Sequence, residues 1–291
     1  MYTDTTPEEI PVHAAFSSLS RDIEDDIENF AIERMLGGID GYTDKENVRW
    51  EPRECLLVAS GWWKQRKSDF PPSQNIALAY VGFHWDWTDV LSYEQLLHFR
   101  SWQPIGCRDP ETARRFSEMG VECHFSGSMT LGLDRWIEAR RDKLILSVDV
   151  PETFTLPDGT VELSLECRRN NHPQFVRSKT KELLEYFQKA SLVITTRVQA
   201  ALACLAFGTP VVFVSEKLSP AVGALVAHVD LVPPDFDGEL TGNVMSLEFR
   251  KQAAERARGS LMDAINNARD IYSGSLLLGE SDEDNSKNTF S

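Results

Sequence analysis

ASLVITTRVQAALACLAFGTPVVFV, residues 190–214, holds a strand, a corner, a helix and a second strand in unbroken order. LVIT at 192–195 is short, apolar and rich in β-branched residues, so it reads as a buried strand. VQAALACLAF at 198–207 is small and apolar on every side, which suits a helix pressed between other layers. Gly208 can close that helix in a left-handed conformation, and Thr209-Pro210 resets the chain into VVFV at 211–214. A strand, a crossover helix and a second strand predict a parallel pair.

The same alternation runs outward in both directions. Upstream, CLLVAS at 55–60 and IALAYV at 76–81 read as buried strands, 93–100 as a helix, 104–107 as a strand, 110–119 as a helix closed by Gly120, and 121–125 as a strand. A charged stretch, DRWIEARRD at 134–142, then separates this series from a second one that opens with KLILSVDV at 143–150. The second series continues through 160–167, a helix at 177–190, the opening stretch quoted above, a strand near 229–232 and a long amphipathic helix at 247–271. The fold class is therefore α/β, with residues 1–138 as an N-terminal domain, 139–272 as a C-terminal domain and 273–291 as a disordered acidic tail. Residues 1–20 read as a loose leader, and 21–35 as a surface helix whose acidic residues Asp25, Asp26 and Glu28 face water.

Composition narrows the function classes. The chain has 291 residues, 42% hydrophobic and 26% charged, and a formal net charge of -15 without any lysine- or arginine-rich run, so nucleic acid is not an expected partner. No apolar run approaches a membrane span and the first residues lack a secretory pattern, so a cytoplasmic location is expected. The five cysteines are scattered, with no CxxC pair, and read as reduced core thiols; no metal site and no cofactor are expected.

Against that negative field, arginines at strand-to-helix corners stand out. Arg108 precedes Asp109, suited to N-cap a helix starting at Pro110, and Arg197 precedes the helix at 198–207. Ligands of open α/β sheets bind beyond the carboxyl ends of strands, where helix N-termini add positive potential, so one arginine per domain describes an anion clamp across a cleft. Each could instead pair with a nearby carboxylate. Arg168 lies in a polar run with His172 that either lines the cleft or forms a solvated loop. Ser126-Gly127-Ser128 is a hydroxyl-rich turn able to offer backbone N–H groups to a phosphate. The aromatic stretches at 61–63 and 83–87 follow strands and could meet a sugar or fill core; within the second, His84 and Asp86 could titrate, though a lone histidine is more often structural.

PIGCRDPETARRFSEMGVECHFSGSMTLGLD at 104–134 and the stretch at 190–214 together resemble the polysaccharide pyruvyl transferase family, in order as well as in separation. The resemblance implies two Rossmann-like domains facing each other across a cleft, as in glycosyltransferases of the B type. It also implies transfer of pyruvate from phosphoenolpyruvate to two hydroxyls of a glycan, forming a cyclic ketal in exopolysaccharide biosynthesis, with Arg108 and Arg197 at the anion-holding positions; the pattern of the residues adds Ser126, Ser128 and Arg168 as candidates to touch the substrate. The family carries histidine, its natural general acid, where this chain has Gln199, and commonly cysteine where this chain has Ser128. A carboxamide has no proton-transfer equilibrium near neutral pH, which leaves His172 or Asp109 as proton carriers, or a site that binds without turnover. A nucleotide-sugar glycosyltransferase shares the same architecture, and the long last helix could serve a homo-oligomer.

Overall fold

The computed structural model describes residues 10–20, 23–63, 70–88, 90–138, 143–167, 172–216, 229–236 and 238–287. Two parallel sheets and six helices are built from them. The first sheet contains β1 (Val12–Phe16), β2 (Gly41–Asp44), β3 (Cys55–Trp63), β4 (Ile76–Trp85), β5 (Ile105–Cys107) and β6 (Cys123–Phe125), in the spatial order β2-β1-β3-β4-β5-β6. The second contains β7 (Ile145–Val148), β8 (Val161–Leu163), β9 (Leu192–Thr195), β10 (Val211–Val214) and β11 (Leu231–Val232), ordered β11-β10-β9-β7-β8. The helices are α1 (Glu24–Leu36), α2 (Tyr93–Ser101), α3 (Pro110–Glu118), α4 (Pro173–Lys189), α5 (Val198–Phe207) and α6 (Leu247–Lys287).

Alternation along the strands divides the core. From β3 and β4, Leu57, Ile76, Leu78 and Tyr80 join Phe99 of α2 and Phe116 of α3 on one face. Leu56, Val58, Ala77, Ala79 and Val81 point the other way, against Ile32 and Met35 of α1 and Leu261 and Ile265 of α6. In the second sheet, Leu146, Val148, Val193 and Phe213 pack on α4 and α5, while Ile194, Val212 and Val214 meet Phe154 on the opposite face. At roughly 25 cal/mol per Å² of apolar surface removed from water, these double-sided strands are what hold each layer.

Several expectations are corrected here. Residues 12–16 are no leader: β1 lies between β2 and β3, with Val12 to Ala14 paired to Leu56 to Val58. The aromatic stretches do not follow their strands but prolong them, to Trp63 and Trp85, past a register shift between Ala59 and Gly61. Trp63, Phe83 and Trp85 are core residues, whereas Trp62 is 38% exposed. The last helix continues to Lys287 rather than stopping near Ile271, because nothing between them is a proline to interrupt it.

The largest correction concerns α1. It is not a surface helix: Ile27 and Phe30 belong to the core of the second sheet, and Ile32 and Met35 to that of the first. Its acids are tolerated because each meets a cation from another element. Glu24 stands 3.9 Å from Arg197, Glu28 3.7 Å from Arg108, and Asp26 3.4 Å from Arg177; Asp25 pairs closely with Lys45. The C-terminal helix crosses in the opposite sense, α6 placing Ala257, Leu261, Ile265, Ala268 and Tyr272 on the first sheet.

Candidate functional site

The carboxyl ends of β4, β5 and β6 form one wall. Arg108 follows β5 and is tied to β4 through its N–H to Phe83 O, 2.9 Å. Asp109 caps α3, its Oδ1 accepting from Thr112 N at 2.9 Å, with Pro110 in the first turn. The Arg108 side chain is buried, faces Glu28, and has an Nε without a hydrogen-bond partner among the described residues. After β6, Ser126 N and Gly127 N both donate to Cys107 O, so these amides serve the turn itself and do not offer themselves to a phosphate. Ser126 Oγ accepts from Gly82 N at 2.9 Å, and Ser128 caps the 3-10 turn Met129–Gly132.

The second sheet contributes the facing residues. Arg197 occupies the N-cap position of α5; its Nε donates to Asp149 Oδ2 at 2.8 Å. Asp149 is held in a left-handed conformation, φ 51°, with its own carbonyl accepting from Thr196 Oγ1. In the first turn of α5, Gln199 is fully buried. Its Oε1 accepts from Thr130 Oγ1 at 2.6 Å and Ser128 Oγ at 3.3 Å, and its Nε2 donates to Glu28 Oε2 at 2.9 Å. Glu28 also accepts from Met129 N at 2.8 Å.

These contacts set the two arginines against the same helix. Arg197 reaches Glu24 and Arg108 reaches Glu28, residues one turn apart on α1 and so about 5–6 Å from each other at Cβ. Gln199, Ser128 and Thr130 join the same network. Burial pushes the Glu28 carboxyl above its ordinary value, against the pull of Arg108 and the Met129 N–H. Asp26 is likewise pushed up by burial, with Arg177 opposing.

Other expected residues are placed elsewhere. His172 caps α4, its Nδ1 accepting from Gln174 N at 3.3 Å, and it lines a cavity with Phe16, Glu33 and Tyr42 that shares no residue with the Arg108 network. Arg168 lies outside the described residues. Ser126 and Ser128 also line a cavity of about 360 Å³ opposite Phe249, Arg256 and Asp263 of α6 and Leu202 of α5. Among the described residues, no group of three or more His, Cys, Asp or Glu side chains could hold a metal ion, and no helix is long and apolar enough to cross a membrane.

Two features escaped the sequence reading. Glu24 and Glu28 look like solvated helix surface until the helix is seen to be enclosed; the signal that could have shown it is Ile32 and Leu36, apolar residues outside the stripe formed by Ile23, Ile27 and Phe30. The other is the pair of His84 Nδ1 with Asp109 Oδ2, 2.6 Å apart and buried, which joins the end of β4 to the cap of α3.

Both corners, the hydroxyl turn and the small-residue helix lie within one segment that matches a known family. Residues 81–217 match the polysaccharide pyruvyl transferase family. The family segment thus runs from the middle of β4 to just past β10 and contains Arg108, Ser126, Ser128, Arg197 and Gln199; α1 and α6 lie outside it. Among solved structures, a functionally uncharacterised protein of Klebsiella pneumoniae subsp. pneumoniae NTUH-K2044 is similar in fold, with a TM-score of 0.52 at 9% identity, covering 77% of this chain and 93% of that one. No curated protein matches the sequence.

Proposed function

We propose that the protein transfers a pyruvyl group from phosphoenolpyruvate to a pair of hydroxyls on a glycan, forming a cyclic ketal. The observation that carries this reading is the approach of Arg108 and Arg197, from the carboxyl ends of two parallel sheets, to successive turns of α1. A donor bearing both a carboxylate and a phosphate needs two separated cations, and guanidinium groups match both anions in a bidentate way. In a chain of net charge -15 such cations must act locally, and the buried Arg108 guanidinium, with its unpaired Nε, is free to take a stronger partner than a carboxylate 3.7 Å away. The two sheets then act as Rossmann-like domains facing each other in the glycosyltransferase-B manner, and the reaction serves polysaccharide synthesis in the cytoplasm.

The cavity between the hydroxyl turn and α6 suits the acceptor. Phe125 and Phe249 are exposed aromatic rings there, and Ser126, Ser260, Arg256 and Asp263 supply donors and acceptors for sugar hydroxyls.

The same network supports a second reading, a homologue that binds phosphoenolpyruvate or a glycan without turning it over. Gln199 is locked at both ends of its amide and cannot carry a proton. Incubation with phosphoenolpyruvate and a panel of methyl galactosides and mannosides separates the two: acceptor-dependent phosphate release supports transfer. Thermal stabilisation by phosphoenolpyruvate without release, with release appearing in Gln199→His, supports the binding reading.

A further inference from the structure

Ketal formation from phosphoenolpyruvate requires an acid that protonates the methylene carbon and a base that takes the proton of the attacking hydroxyl, roles that one group can fill in turn. Neither Gln199 nor His172 is placed to do so. His13 lies in β1 with its Nδ1 at Thr43 Oγ1, 2.9 Å; His98 is held by Tyr80 OH on the opposite face of the sheet; and His124 is exposed in β6.

His84 differs from these in every relevant respect. It sits at the carboxyl end of β4, one residue from Phe83, whose carbonyl holds the Arg108 backbone. Its Nδ1 meets Asp109 Oδ2 at 2.6 Å, and Thr112 Oγ1 donates to the same carboxylate oxygen at 2.9 Å. Burial alone would raise the Asp109 carboxyl, but the hydrogen bonds from His84 and Thr112 outweigh it and hold the carboxyl below its ordinary value. An ionised Asp109 accepts only, so Nδ1 carries a proton and Nε2 is the nitrogen left to exchange one. Nε2 makes no hydrogen bond among the described residues. The ring is stacked on Trp62 with centroids 3.9 Å apart, and Trp62 itself is 38% exposed.

Two buried polar atoms on this part of the sheet have no hydrogen-bond partner among the described residues. Arg108 Nε, adjacent in sequence to Asp109, is buried and unpaired. Ser60 Oγ, 3% exposed at the register shift of the neighbouring strand β3, is the second of them. Leaving a buried polar atom without a partner costs about 1–3 kcal/mol, which a bound polar molecule would offset.

We propose that His84 is the proton carrier of this site, oriented by Asp109 as a positioning residue, in the place of the histidine absent at position 199. This rests on the pyruvyl transfer reading above. In its imidazolium form, with Nδ1–H held by Asp109, His84 gives its Nε2 proton to the methylene carbon, whose π electrons form the new C–H bond and leave the adjacent carbon cationic. The first hydroxyl donates an electron pair to that carbon, and its proton passes to Nε2. The bond from that carbon to the phosphate oxygen breaks with its electron pair on phosphate; the second hydroxyl closes the ketal, and its proton leaves on the phosphate. Phosphoenolpyruvate and a diol thus become a pyruvate ketal and hydrogen phosphate, with the imidazolium regenerated.

The test combines NMR of the full chain labelled with ¹⁵N-histidine, using phosphoenolpyruvate alone as probe, with phosphate release on the methyl pyranoside panel. The expected result is that phosphoenolpyruvate moves the ring nitrogen signals of His84 and leaves those of His172 in place. His84→Gln lowers kcat by about 100-fold or more while the KM for phosphoenolpyruvate stays within threefold. Asp109→Asn lowers kcat less and abolishes the Nδ1–H tautomer of His84. The spectra of the unaltered chain decide the matter should either variant fail to fold. If phosphoenolpyruvate stabilises the protein to heat yet leaves the His84 signals unmoved, or if His84→Gln turns over normally, the carrier is another group while pyruvyl transfer stands. If phosphoenolpyruvate neither binds nor is consumed, pyruvyl transfer falls, and the role of His84 with it.

Discussion

Glu28 takes hydrogen bonds from Met129 N, Ser128 and Gln199 while standing beside Arg108, so one carboxylate joins residues drawn from four elements. Its separation from Arg108 makes the pair a loose one, and the energetic question is what each charge does alone. Arg108→Met should cost about 2 kcal/mol, since it leaves a buried carboxylate without its cation; adding Glu28→Gln should recover about 1 kcal/mol of that loss. Urea denaturation at pH 7 measures both. The sign with pH follows from the raised Glu28 carboxyl: the unfolded chain loses its proton near the ordinary 4.5, the folded one only higher, so the folded state binds more protons in that window and loses stability as pH rises through it. Glu28→Gln removes this loss, and its stability relative to the parent chain should improve from about pH 4.5 upward.

At the scale of elements, α6 offers a direct check on the packing. Leu261 is fully buried between that helix and the first sheet, and Leu261→Ala should cost about 2–4 kcal/mol, read as a lower urea midpoint with an unchanged slope. The same scale shows what could be read in advance. β9, α5 and β10 match the sequence reading residue for residue, because β-branched runs, a small-residue helix and Gly208 all agree locally. β1 was missed because VHAAF has two alanines and a histidine, and its strand character comes from pairing with β2 and β3 rather than from its own residues. α1 was misread because partners such as Arg177 and Arg197 are some 150 residues or more away along the chain, and no local pattern reports a distant cation. The site was legible to the same extent: Arg108, Arg197, Asp109 and Gln199 come from corners with clear local signals, whereas the Asp109–His84 pair depends on the register of β4 beside β5.

Across the whole molecule, the strands change sheet between Phe125 and Ile145, but the helices do not respect that division. The N-terminal part lends α1 to the core of the second sheet, and the C-terminal part lends α6 to the first. Neither part therefore owns all the apolar surface it needs. Cutting the backbone between residues 138 and 143 should yield two pieces that are each poorly folded in isolation and that recover secondary structure and a shared melting transition when mixed. Circular dichroism of the separate and combined pieces would reveal it, and two fragments that each melted cooperatively alone would refute it. A reciprocal exchange of helices works as a clasp: the halves cannot part without both coming undone.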